Sequence, residues 1–186
     1  MSRAYKSVGF ISYSHKDKDY FKSIKEGIEE QINLIQDIEW NIWDDEQIGV
    51  GEEWHVAIQS AVDKCQFAIL LISPSFFGSD YIKEEELNKF LNSYEESNSK
   101  FVIFPILLRS CRFEKIKKLS KFQHFIPSGE DFGFPEEKHL PYSFLKDDPT
   151  KKSYLDKYHM LLVDSLEQSI NKIILTPNNT DLKRNF

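Results

Sequence analysis

Residues 66–72 read QFAILLI. After Gln66 every side chain is apolar until Ser73, and so short and apolar a run is the mark of a central strand covered on both faces. It cannot stand alone, so the neighbouring segments must supply both the paired strands and the covering helices. Upstream, residues 8–13 (VGFISY) and 39–43 (EWNIW) read as further strands, and downstream residues 101–108 (FVIFPILL) as a fourth. Pro105 forfeits one ladder hydrogen bond and places that strand toward an edge or at a bulge. A fifth, short strand is expected over residues 122–126. Between the strands the period changes: Phe21, Ile24, Ile28, Ile32 and Ile35 recur at steps of three and four, as do Trp54, Ile58, Ala61 and Val62. Ser14 or Asp17 would cap the first of these helices, and Glu52 and Glu53 suit the dipole of the second. A third helix is expected over residues 81–94, capped by Ser79 or Asp80, and a short one over residues 113–119. Residues 127–149 read as loop. Tyr154, Tyr158, Leu161, Leu162, Leu166, Ile170 and Ile173 trace a final long helix.

Strands alternating with helices predict an α/β fold, a flavodoxin-like three-layer sandwich. Its parallel sheet would have five strands in the order 2-1-3-4-5, with helices on both faces. At 186 residues the chain holds one domain, assigned to residues 1–175, with residues 176–186 as a flexible tail. Its 15 Phe, 8 Tyr and 3 Trp suffice for a sizeable core. The only cysteines, Cys65 and Cys111, stand far apart with no secretory signal before them, which fits a reducing, cytoplasmic setting and thiols used as core filler. No run approaches the ~20 apolar residues that span a bilayer, so no membrane is expected. Thirty acidic residues against 24 basic ones give a net charge of −6, which argues against nucleic acid as a partner.

In an open sheet of this order a ligand sits beyond the carboxyl ends of strands one and three. Ser12-Tyr13-Ser14-His15 would stand on one side and residues 73–79 on the other, under an overhanging loop of residues 44–51. Small hydroxylated neighbours suit sugar and phosphate oxygens. Gly49-Val50-Gly51 continues into Glu52-Glu53, whose charges would repel a pyrophosphate, so a Rossmann dehydrogenase is disfavoured. There is no Walker loop, no zinc-spaced Cys or His, no G-x-S-x-G elbow, and no acidic pair of a phospho-acceptor receiver. One charge is oddly placed. At about 100° per residue, Ile82, Leu87, Phe90, Leu91 and Tyr94 form one helix face, and Glu86 falls inside it, whereas Glu84 lies just beyond its edge and Glu85 points to solvent.

Taken together these boxes resemble a TIR (Toll/interleukin-1 receptor) domain, most like the bacterial branch, over residues 7–174. Phe10-Ile11-Ser12-Tyr13-Ser14-His15-Lys16-Asp17 matches the family's F-I-S-Y-S-x-x-D, and Ile42-Trp43-Asp44-Asp45-Glu46-Gln47-Ile48 with Gly51 and Trp54 matches its second strand and BB loop. Phe67 to Phe77, Ser79-Asp80-Tyr81-Ile82 and Glu86-Leu87 complete the set in order. The loop departs from the family in carrying Ile48-Gly49-Val50-Gly51 instead of a basic residue and Pro-Gly, and Tyr81 replaces a Trp.

The resemblance implies cleavage of NAD+ at the nicotinamide–ribose bond, with NAD+ as substrate and no cofactor or metal. It implies Glu86 as the essential glutamate, with Glu85 as the alternative at the shorter spacing. Phe10 and Ser12 would line the pocket, Ser79 and Tyr81 would touch the ribose or a base, and Trp43, Asp44 and Trp54 would shape the loop. His15 is expected to face solvent. The product would be a cyclic ADP-ribose isomer made as a signal in anti-phage defence, as in stand-alone, Thoeris-like TIR enzymes, and sensed by a separate effector protein. Homo-oligomerisation through other TIR domains would complete the site. The rival reading is a non-enzymatic TIR adaptor acting through TIR–TIR contacts; a nucleoside deoxyribosyltransferase-like enzyme is a third, against which the Phe10–Ser14 box argues.

Overall fold

A computed structural model describes residues 5–36, 38–49, 53–79, 86–97 and 101–174. Its sheet has four parallel strands, β1 (Tyr5–Ser12), β2 (Ile38–Trp43), β3 (Phe67–Ile72) and β4 (Val102–Leu107), in the order β2-β1-β3-β4. Six helices accompany them among the described residues: α1 (Lys18–Ile32), α2 (Trp54–Lys64), α3 (Pro74–Gly78), α4 (Leu87–Glu96), α5 (Tyr142–Lys146) and α6 (Leu155–Ile174). The chain therefore has the α/β architecture that its alternating periods predict, with one strand fewer.

β3 is buried at every position, and its side chains divide by parity, as a period of two requires. Phe67, Ile69 and Leu71 pack with Phe21, Ile24 and Ile28 of α1, Tyr142 of α5 and Tyr158 and Leu162 of α6. Ala68, Leu70 and Ile72 pack on the other face with Ile58 and Val62 of α2, Phe76 of α3 and Phe90 of α4. Each large apolar side chain so enclosed contributes about 1.5–3 kcal/mol. Where β1 crosses β3, Gly9 is the register partner of Phe67, and the phenyl ring lies directly over it: a Cβ on Gly9 would stand 2.0 Å from Cζ of Phe67.

The fifth strand is reduced to one bridge. Phe125 pairs with Ile106, its N–H donating to Pro105 O (2.7 Å) and its carbonyl accepting from Leu107 N (3.3 Å). In a parallel ladder the next bonds would be donated by the N–H of residue 105 on one side and of residue 127 on the other. Both residues are proline, so neither bond can form. β4 is accordingly the edge strand that Pro105 predicts.

Four further expectations change. Asp17 and Ser14 make no side-chain cap on α1, because the Asp17 carboxylate is engaged elsewhere. Ser73-Pro74-Ser75 does not merely end β3: Ser73 caps α3 by accepting from Phe76 N (3.0 Å), with Pro74 in the first turn, while Ser79 stands at the end of α3. The stretch read as loop after Pro127 contains a 3-10 turn (Gly129–Phe132) and α5, which bury Phe132, Tyr142 and Leu145. The segment around residue 113 forms only a 3-10 turn, Phe113–Lys115. The expected start of the third helix, with Asp80 and Tyr81, lies outside the described residues, as does the tail.

α1 and α6 meet at Gly27, where a Cβ would stand 2.1 Å from Nδ1 of His159. His159 is buried, its Nε2 3.0 Å from the Tyr142 hydroxyl, and burial holds its pKa down to about 4. An unfolded imidazole titrates near 6.5. Between those values the unfolded chain binds the extra proton, so the His159 contribution to stability is complete above about 6.5 and is lost as the pH falls toward 4, by on the order of 3 kcal/mol. Urea midpoints of wild-type and His159→Gln protein, compared at pH 7.5 and 5.0, should differ more in the variant's favour at pH 5.0.

Candidate active site

The carboxyl ends of β1 and β3 diverge because their connections leave toward opposite faces of the sheet. The cleft between them encloses about 340 Å³. Phe10 and Ser12 of β1 form one wall, residues 13–16 and Asp45 the rim, and Ser75, Gly78 and Ser79 the opposite wall, with Glu86 entering beside α4.

Glu86 is 6% exposed. It stands at the head of α4, whose next residue, Leu87, is sunk in the core with Phe90 and Leu91, so the helix face that carries these anchors carries the carboxylate inward as well. The Ser12 hydroxyl donates a hydrogen bond to Glu86 Oε2. Burial raises the Glu86 pKa to about 7; the Ser12 bond opposes that rise, Asp45 adds to it, and His15 opposes it weakly. A carboxyl poised at neutrality in a cleft suits charge stabilisation or proton transfer.

Two buried aspartates hold the rim. Asp17, 1% exposed, accepts from the Ser73 hydroxyl (2.5 Å) and faces Arg109 Nη2 (2.9 Å), which also donates to Ser75 Oγ (2.7 Å). This ties the turn His15–Asp17 to α3 and to the chain just past β4. Asp44, fully buried, accepts from Glu46 N (3.0 Å), Lys25 Nζ (2.7 Å) and Gln47 Nε2 (3.2 Å), and so fixes the turn Asp45–Gln47 on α1. The two turns then meet: His15 Nε2 bonds Asp45 Oδ2, and Lys18 pairs with Glu46 (2.6 Å). Behind Phe10, Trp43 stacks at 5.1 Å between ring centroids.

Comparison with protein families matches the TIR domain to residues 10–133, more than half of the chain. The chain belongs to the TIR domain family. Two curated relatives match part of the chain. An uncharacterised protein, y4lF, of Sinorhizobium fredii (strain NBRC 101917 / NGR234) is 30% identical over 105 residues, 55% of this chain and 30% of its own length. A protein of Methanobrevibacter olleyae named as a probable 2' cyclic ADP-D-ribose synthase, TcpO, is 29% identical over 119 residues, 63% of this chain and 31% of its own length. The chain thus spans about a third of the length of the curated relatives it matches.

Within the TIR domain, Phe10, Ser12, Ser79 and Glu86 come together on the cleft. Trp43 and Asp44 stand behind it, one against Phe10 and the other under the loop. Trp54 opens α2, while Tyr81 and Glu85 lie outside the described residues. His15 is largely exposed, as the sequence suggests, yet it lines the cleft and pairs with Asp45. Sequence reasoning placed Asp45 only within the overhanging loop, without singling it out, and missed Lys16 and the Asp17–Arg109 clamp. The doubled aspartate at 44 and 45 was the available sign of the first; nothing local marks Arg109 as the partner of a residue 92 positions earlier. No group of three or more His, Cys, Asp or Glu among the described residues is placed to hold a metal ion, and no described helix is long and apolar enough to cross a membrane.

Proposed function

We propose that this TIR domain cleaves NAD+ at the nicotinamide–ribose bond and forms a cyclic ADP-ribose isomer. The observation that carries this reading is Glu86, a buried carboxylate with a neutral-range pKa, held by Ser12 where the sheet opens. The name of the Methanobrevibacter olleyae relative supports the choice of reaction and of cyclic product.

Rupture of this bond leaves positive charge on the ribose, and nicotinamide departs as a neutral ring that needs no proton. One carboxylate therefore suffices for the first step. Glu86 stabilises the oxocarbenium-like ribose by preorganised charge, with Ser12 fixing its orientation. Phe10, backed by Trp43, forms the apolar wall, Ser79 meets ribose hydroxyls, and Lys16 at the mouth supplies positive charge for the pyrophosphate. Tyr81 continues the ribose or base contact. Asp44 and Trp54 shape the loop. NAD+ is consumed as a substrate, with no further cofactor. In the same reading the protein acts in the cytoplasm, copies of the domain associate to complete the site, and the product signals to a separate effector in anti-phage defence.

Purified protein incubated with NAD+, dilute and then concentrated, with nicotinamide and the partner product resolved by chromatography and mass, tests the reading. Nicotinamide release dependent on Glu86 supports it, and absence of release at every concentration overturns it. The reactive form is the carboxylate, so kcat/KM should rise with pH through about 7 and level off above it. A profile flat from pH 5 to 9 would reject Glu86 as the ionising group.

A further inference from the structure

Departure of nicotinamide settles only half of the reaction. Whatever hydroxyl then joins the ribose carbon must lose a proton, and Glu86 faces the cation with one oxygen engaged by Ser12. The cleft holds a second proton acceptor. His15 and Asp45 both line it, and His15 Nε2 bonds Asp45 Oδ2. A neutral imidazole that donates from Nε2 keeps Nδ1 free to accept, and a carboxylate on the far nitrogen stabilises the imidazolium that results. The pair is built for fixed geometry: the turn bearing His15 is anchored through buried Asp17, and the turn bearing Asp45 through buried Asp44. Its imidazole is nonetheless 69% exposed and lines the cleft. The other rim groups are less suited. Lys16 is a cation, and the Tyr13 hydroxyl, buried and beside Asp45, stays protonated far above its usual pKa.

We infer that His15, oriented by Asp45, is the base that takes the proton from the substrate's own ribose hydroxyl during ring closure. The inference rests on the proposed NAD+ reading. The C–N bond breaks with its electron pair going to the nicotinamide nitrogen. The hydroxyl oxygen of the second ribose bonds the anomeric carbon, its O–H bond breaks, and the proton passes to His15 and then to water. Attack by water instead gives ADP-ribose, and bulk solvent can accept that proton, so hydrolysis depends less on His15.

The test compares wild-type protein, His15→Ala, His15→Gly, Asp45→Asn and Glu86→Gln with NAD+ as the probe, measuring nicotinamide, cyclic product and ADP-ribose separately. His15→Ala should lower nicotinamide release severalfold and the ratio of cyclic product to ADP-ribose at least tenfold; Asp45→Asn should act in the same direction with a smaller effect. Added imidazole should restore the cyclic fraction of His15→Gly, which a merely structural role would not produce. An unchanged ratio in His15→Ala, with nicotinamide still released, overturns the role of His15 alone. Wild-type release that yields ADP-ribose only also overturns it and leaves cleavage standing. No release from wild-type protein overturns both readings.

Discussion

Glu86→Gln should reduce nicotinamide release by roughly 10²–10³-fold, the range for removing one preorganised charge-stabilising group, while making the folded protein harder to unfold at pH 8. Gln keeps the shape and an oxygen to accept from Ser12, and it removes a charge that burial opposes. The sign follows from linkage. An unfolded glutamate titrates near 4.5 and the folded one at about 7. Below 4.5 both states are protonated and the variant gains nothing. As the pH rises to 7 the unfolded chain has lost the proton that the native chain still holds, so wild-type stability falls, by on the order of 3 kcal/mol above 7. Urea titrations at pH 4 and pH 8 read the difference. His159 slopes the opposite way between about 4 and 6.5, so the variant comparison is needed to separate the two. Full activity in folded Glu86→Gln would dismiss the assignment, and loss confined to Glu85→Gln would move it by one residue. A site residue whose replacement raises stability while destroying activity is the signature of strain retained for function.

Gly9→Ala should be the most damaging single methyl in the sheet. The added Cβ meets the Phe67 ring at 2.0 to 2.5 Å, and that ring has no room to retreat: Phe67 is fully buried and holds Trp40 edge-on at 6.0 Å. Overpacking of this kind costs about 1–3 kcal/mol and at times more, or roughly 2–12 °C in Tm for a chain of this size. Phe67→Leu alone should also destabilise, by loss of buried ring. Combined, the two should cost less than their sum, because the smaller side chain clears the space that the methyl needs. Strict additivity in thermal or urea unfolding would show that Gly9 is needed for some other reason.

What the sequence made legible was whatever repeats locally. The apolar run of β3, the three-and-four spacing of α1 and α6, and the placement of Glu86 on the apolar face of its helix all express periods within one element, and the structure contains each of them. The residues of the cleft followed from the order of the strands. Illegible features depend on groups far apart in the chain. The fifth strand had the right composition but two prolines at the ladder positions that needed donors. Asp17 looked like a helix cap because its distant cation, Arg109, carried no local mark. α5 is five residues long, too short for periodicity to rise above the Pro- and charge-rich stretch around it. His15 read as a solvent residue because exposure and partnership are separate properties, and Asp45 supplies the second.

The single bridge beside β4 has a consequence for the chain in company. A sheet edge with a regular row of donors is a template on which another molecule's strand can pair and aggregation can begin. Here the incoming strand would find Pro105 in the middle of β4, its outward donor missing, so the template is broken at its centre. At the opposite edge β2 places Glu39 in an exposed ion pair with Lys6, a charge that an intruding strand would have to displace. Both borders of the sheet thus discourage growth by strand addition, and copies of the protein are left to meet through their helices and loops.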